Sequence, residues 1–296
     1  MTTAVVLLAV SVIIFVMARL TGDPRLAILD DHFTMEQYEE VGVVLGLDKH
    51  PIEQYFIFMK SVFKGDLGRS IKERRPVKDV IWERIPATLH LGLVAFVFSV
   101  LVGVPLGVLS SVKRGSILDQ IGKFVALIGQ SAPSFWLGIM LIFLFAVRLE
   151  WVPPSGRGDW NSVILPAITL GWFSVAANLR LVRSAMLEVL DSEYIKLSRA
   201  KGVPGRTIIW KHALRNAMIP PLTFAGVTLG AMITGSLVAE TVFAWPGLGQ
   251  LAVQALQASD YPLLQGIVII FTIMFVVASL LVDMLYVYIN PRIRYS

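Results

Sequence analysis

Long apolar runs alternate with short polar connections along this chain. A membrane-crossing helix needs roughly 20 mainly apolar residues, because it rises about 1.5 Å per residue through a hydrocarbon core about 30 Å thick. Six stretches meet that requirement, from about Thr3 to Leu20, Thr88 to Val112, Ile121 to Val147, Val163 to Ala185, Pro220 to Phe243 and Gln265 to Ile289. Unpaired backbone amides are costly in lipid, so each stretch is expected to be a helix. The first has neither the basic start nor the small-residue cleavage pattern of a signal peptide, and it reads as a span. The predicted fold class is an all-α, polytopic membrane protein with six transmembrane helices.

The polar connections add three features. Residues 21–87 mix helix-like amphipathic pieces such as EQYFIFMKSVF with turn signals at Gly22, Pro24, Gly65 and Gly68, which predicts a small cap. Residues 240–262 break at WPGLG and then resume an apolar rhythm, the pattern of a short helix at the outer surface that could act as a gate. Residues 191–219 form a basic, Gly-punctuated loop between the fourth and fifth runs. The expected organisation is therefore a first span at 1–20, an extracytoplasmic region at 21–87, and a five-helix core at 88–296 containing the loop 191–219.

Lys and Arg set the orientation, because basic residues collect in short cytoplasmic connections. Lys113, Arg114 and Lys123 follow the second run, six basic residues from Lys196 to Arg215 follow the fourth, and Arg292 and Arg294 follow the sixth. Residues 240–264 carry neither Lys nor Arg. Residues 21–87 hold ten basic residues, but connections longer than about 60 residues largely escape the rule. Both termini are expected in the cytoplasm. With 55% hydrophobic and 16% charged residues, and a mean hydropathy of +0.70, the composition agrees with a membrane protein. The net charge of +5 is then a topology signal, and no nucleic-acid partner is expected. No cysteine is present, which excludes disulfides and thiolate chemistry.

The basic loop reads as a helical hairpin. Asp191 or Ser192 can cap a first helix, and Glu193 in its first turn suits the positive dipole end. Gly202 can take the left-handed conformation that ends a helix, and Pro204 blocks continuation. A second helix from about Gly205 to Ala217 then leads into the fifth span. Tyr194, Leu197, Ala200 and Val203 form an apolar ridge among basic residues, with Ile195 on another side. Such a ridge fits a groove in another protein.

In wording, EYIKLSRAKGVPGRTIIWKHALRNAMIP resembles the cytoplasmic EAA loop of permease subunits of binding-protein-dependent ABC importers, in their dipeptide and oligopeptide branch. TGDP at Thr21, GDLGRSI at Gly65, RRPV at Arg74, GQSAPSFWLG at Gly129, ETVFAWPGLG at Glu240 and NPRIRY at Asn290 are similar to the same branch and extend the resemblance over nearly the whole chain. The general Glu-Ala-Ala signature is replaced by Lys196, Leu197 and Ser198, and its Leu-Pro by Leu214 and Arg215; only Gly202 matches cleanly. Family members also carry a basic lead before the first span, so a native start upstream of Met1 is a further expectation.

The resemblance implies a heterodimer with a second, homologous permease subunit, two ABC ATPase subunits, and an extracytoplasmic binding protein that delivers cargo, all at a prokaryotic inner membrane. ATP and Mg would reside in the ATPases; no cofactor is expected in this chain, which lacks a GxxxxGK[ST] loop. The implied ATPase-docking positions are Glu193, Tyr194, Lys196, Leu197, Ala200, Lys201, Gly202 and Val203. The implied cargo is a di- or oligopeptide, with glutathione-like molecules or nickel chelates as alternatives in the same branch.

A few residues in the spans are unusual for lipid. Gly103 and Gly107, like Gly226 and Gly230, repeat at the spacing that lets helices approach closely. Ser131, Ser134, Asn178, Thr228 and Thr234 are candidates for a polar path lining, with interhelical hydrogen bonding as the alternative. Asp283 is an intramembrane charge and a functional candidate. Arg180 and Arg183, near the inner boundary, can snorkel. The motifs HExxH and GxSxG are missing, and the four histidines show no metal-ligand spacing, which disfavours catalysis. An ion-coupled transporter would place several ionisable groups at mid-membrane, and few occur here.

Overall fold

The computed structural model describes residues 9, 11–13, 15, 16, 25, 29, 33–44, 46–234 and 236–289, with side chains beyond 281 described only at Met284. Most of the first expected span, the Asp283 carboxylate and the NPRIRY segment fall outside the described residues. The helices are α1 Met35–Val44, α2 Pro51–Phe63, α3 Val77–Val112, α4 Ile117–Ser131, α5 Ser134–Leu141, α6 Ile164–Leu190 and α7 Glu193–Ala200. There follow α8, made of Gly205–Thr207, a π-helical stretch Ile208–Ala213 and Leu214–Ala217, then α9 Ile219–Thr234, α10 Leu237–Val242, α11 Leu248–Gln257 and α12 Tyr261–Ile289. Among the described residues the only β pairing is one isolated bridge, Arg69 to Pro76, so the all-helical expectation holds.

Among the described residues, four helical segments are long and apolar enough to cross a membrane: Val77–Val112, Trp160–Leu190, Ile219–Val242 and Tyr261–Leu281. The third expected span is not the single rod that its composition predicts. It breaks between Ser131 and Ser134 into two helices bent by 110°, giving a fifth span only if the bent pair counts as one. The cause is local: Pro133 pushes the preceding Ala132 out of the helical region, to φ −79° and ψ 127°.

Two compact units divide the chain, residues 1–88 with 246–276, and residues 89–245 with 277–296. In the first, Val77, Val80 and Ile81 pack with Leu248, Leu251 and Ala255 of α11 and Leu263 and Ile267 of α12. The expected surface helix after WPGLG is thus seated by its apolar side in this core. Its N-terminus is held by the Leu248 amide, which donates to Thr88 Oγ1 at 2.8 Å. Buried Asp260 joins two segments: it accepts from the Leu263 amide at 3.2 Å, capping α12, and from Ser70 Oγ at 2.5 Å and the Lys72 amide at 3.1 Å.

In the second unit α6 is the central rod, with α4 and α9 packed around it and α3 pressed against it at Gly103 and Gly107. Small residues permit the approach. A Cβ on Gly103 would lie 2.8 Å from Asn178 Cβ and 2.9 Å from the Val175 carbonyl oxygen, and one on Gly107 would lie 2.7 Å from Val182 Cβ. A Cβ on Gly129 of α4 would meet Ala176 Cβ at 2.7 Å. Gly226 and Gly230 of α9 are buried as well.

Candidate functional site

The hairpin α7–α8 has the form that its glycine and proline predict. Gly202 has φ +77°, a conformation that strains any residue with a side chain. Its amide donates to the Arg199 carbonyl at 3.0 Å, and the Val203 amide reaches back to the Ser198 carbonyl at 3.2 Å. Together these two bonds are a complete Schellman closure. Ser192 holds the N-cap position with an extended backbone, yet its hydroxyl donates backwards to the Val189 carbonyl at 2.5 Å and leaves the first amides of α7 uncapped by side chains.

Ile195 anchors α7. It is fully buried among Val108 of α3, Val182 and Met186 of α6, and Ile208, Ala213 and Ala217 of α8. Burying such a side chain stabilises by about 1.5–3 kcal/mol, and it ties the short helix to two long ones. Val203 turns inward and packs half-buried on the same cluster, so the exposed ridge is shorter than the sequence predicts. That ridge is Tyr194, Leu197 and Ala200, with Tyr194 41% and Leu197 57% exposed. Tyr194 is held in place, because Asn216 Nδ2 donates to its hydroxyl at 2.8 Å across the hairpin. Glu193 and Lys196 form an exposed ion pair at 2.8 Å, and Lys201 and Gly202 are exposed at the elbow. The hairpin thus offers a small apolar strip bordered by cations on a rigid seat.

Beside that seat is an ionic clamp that the sequence does not reveal. Asp119, in the first turn of α4, is completely buried; Arg183 of α6 donates to both of its oxygens, Nε to Oδ1 at 2.7 Å and Nη2 to Oδ2 at 3.1 Å. Ser110 Oγ at 2.6 Å, the Gly115 amide at 3.0 Å and Lys123 Nζ at 3.1 Å complete its shell. Arg183 therefore does not snorkel freely. It locks the α3–α4 turn to α6, next to Val108 and Val182, the residues that seat Ile195. One local signal existed: Ser116 and Asp119 have capping-box spacing, and the Asp119 amide donates to Ser116 Oγ at 3.4 Å.

The candidate path residues are scattered. The hydroxyls of Ser131, Thr228 and Thr234 donate to carbonyls one turn back in their own helices, those of Leu127, Phe224 and Gly230. Asn178 is buried against Gly103, and Ser134 is exposed at the start of α5. Thr228 also lines, with Ser174, Phe173 and Phe224, an open and mainly apolar groove of about 310 Å³ between α6 and α9. No group of three or more metal-ligating side chains occurs among the described residues.

Residues 103–295 match the family of binding-protein-dependent transport system inner membrane components, and residues 1–92 match the N-terminal region of such membrane components. The chain belongs to this family. It is accordingly a multi-pass inner-membrane component of a binding-protein-dependent transport system. The dipeptide transport system permease protein DppB of Escherichia coli K12 is 41% identical over 307 aligned positions, covering 93% of this chain and 91% of that protein. The glutathione transport system permease protein GsiC of the same strain is 39% identical, covering 98% and 95%. In fold, the family member resembles a chain of the inward-facing MetNI methionine ABC transporter, with a TM-score of 0.60 at 22% identity over 71% of this chain and 96% of that one.

Proposed function

We propose that this chain is the permease subunit of an ATP-driven importer for short peptides, with a glutathione-type tripeptide in the same cargo class. The identities with dipeptide and glutathione permeases support that cargo class. In this reading a binding protein delivers the peptide at the outer face, a second permease completes the path, and two ATPase subunits bind ATP and Mg. Both termini are cytoplasmic, as the Lys and Arg distribution suggests.

The observation that carries the reading is the exposed strip Tyr194–Leu197–Ala200 on a helix whose opposite side, at Ile195, is locked into α3 and α6. A strip of this kind inserts into a groove of an ATPase subunit. Closure of the two ATPases then moves the hairpin, and the buried Ile195 contact passes the movement to the spans. Nucleotide binding thereby biases the bundle between two openings. Polar side chains along α6 and α9, including Asn178, Thr228 and Thr234, remain candidates for the path, as do Ser131, Ser134 and Asp283.

Reconstituted importer provides the test. Gly202→Ala strains the closure of α7 without touching any neighbour, since a Cβ there meets nothing within 4 Å. Uptake of a labelled dipeptide, and the stimulation of ATP hydrolysis by loaded binding protein, should both fall while membrane insertion persists. Normal values of both in that variant would refute the docking role.

A further inference from the structure

We propose that the groove between α4 and α6 binds the headgroup of an anionic phospholipid. The groove encloses about 340 Å³ and is lined on α4 by Lys123, Leu127 and Gln130, and on α6 by Leu179, Arg180 and Arg183. The three α4 residues recur at four- and three-residue spacing, so one helical face forms the wall. Three cations line this groove, Lys123, Arg180 and Arg183, and one carboxylate, Asp119, accepts from two of them, Arg183 and Lys123. Two positive charges are left uncompensated by that carboxylate.

Arg180 is exposed and has no hydrogen-bonding or ion-pair partner among the described residues. It sits ten residues before the end of a span helix, about 15 Å along its axis. Near the end of a span, an exposed and unpaired guanidinium attracts an anionic counter-ion. A phosphodiester supplies one, because the planar fork of Arg matches two phosphate oxygens. The apolar walls select an amphiphile over a free anion. Beyond the groove, α4 presents Ile121, Phe124 and Ile128, which are 52%, 62% and 40% exposed, a surface suited to acyl chains. Placement in the inner leaflet rests on the topology proposed above; binding itself does not.

The test uses the assembled importer in nanodiscs containing equal phosphatidylglycerol and phosphatidylcholine, followed by native mass spectrometry of retained lipid. The wild type should retain phosphatidylglycerol in preference. Arg180→Gln should lower that preference about fivefold, the effect of one basic residue near an anionic surface, and Arg180→Lys should lower it less. Leu127→Trp fills the apolar wall at unchanged charge and should also reduce retention. Equal retention of both lipids by the wild type, or an unchanged preference in Arg180→Gln and Leu127→Trp, would overturn the proposal. Release by excess inorganic phosphate would make the groove a free-anion site, and release by dipeptide a cargo contact; either result overturns it. Lost dipeptide uptake with an intact lipid preference would count against the proposed function and leave this site standing.

Discussion

Leu197→Ala isolates the docking strip from the fold. Leu197 is 57% exposed and carries no buried contact that the hairpin depends on, so its truncation should change stability by no more than about 0.5 kcal/mol. The substitution removes three carbon groups, each contributing about 0.8 kcal/mol when fully buried. Scaling that total by the 57% still available for burial gives about 1.4 kcal/mol, or a tenfold weaker attachment of the ATPase subunit. A titration of detergent-solubilised permease with the purified ATPase reads the change directly, and half-maximal ATPase stimulation should shift in parallel. Equal affinity for wild type and variant, with an unchanged melting curve, would refute the assignment of this strip as the contact. A lowered melting temperature with unchanged affinity would do the same, by showing that Leu197 supports the fold.

Other residues separate seat, clamp and packing. Ile195→Ala should destabilise by about 2–5 kcal/mol and weaken coupling with it, because the cavity opens between α7 and both long helices; chemical denaturation in detergent checks this. Asp119→Asn should cost about 3 kcal/mol by leaving Arg183, which is 21% exposed, without its carboxylate, and the double variant with Arg183→Gln should recover part of that loss. Gly107→Val should lower the melting temperature, since even a Cβ would lie 2.8 Å from the Leu179 carbonyl oxygen and force α3 away from α6. Asp260→Ala should expose the Ser70 and Lys72 segment to proteolysis, because the carboxylate accepts from both.

The legible part of this protein is the part that solvent and lipid dictate. Apolar runs mark the long helices because lipid tolerates no other backbone, and the hairpin is readable because Gly202 and Pro204 act within a few residues. The bend at Pro133 was less visible: a proline inside a span is often absorbed, and composition alone does not reveal a 110° turn. Side-chain direction was harder still. Val203 has the spacing of the Tyr194 ridge, but it follows the left-handed Gly202 and so leaves the helical face. Ionic pairs between distant segments left the weakest trace. Arg183 and Asp119 are 64 residues apart and Ser70 and Asp260 are 190 apart, with no periodicity to connect them. The Gly103 and Gly107 spacing was informative because close approach has a purely local requirement, a missing side chain.

Absence of native cysteine makes the most direct measurement clean. A single cysteine placed at Leu197, paired with single cysteines along the groove of the partner ATPase, reports contact by disulfide trapping in the assembled importer. The account predicts rapid cross-linking at Leu197, its modulation by ATP, and none from a control cysteine at buried Ile195. Trapping of the ATPase by cysteines elsewhere in the chain, with Leu197 unreactive in every nucleotide state, would contradict it.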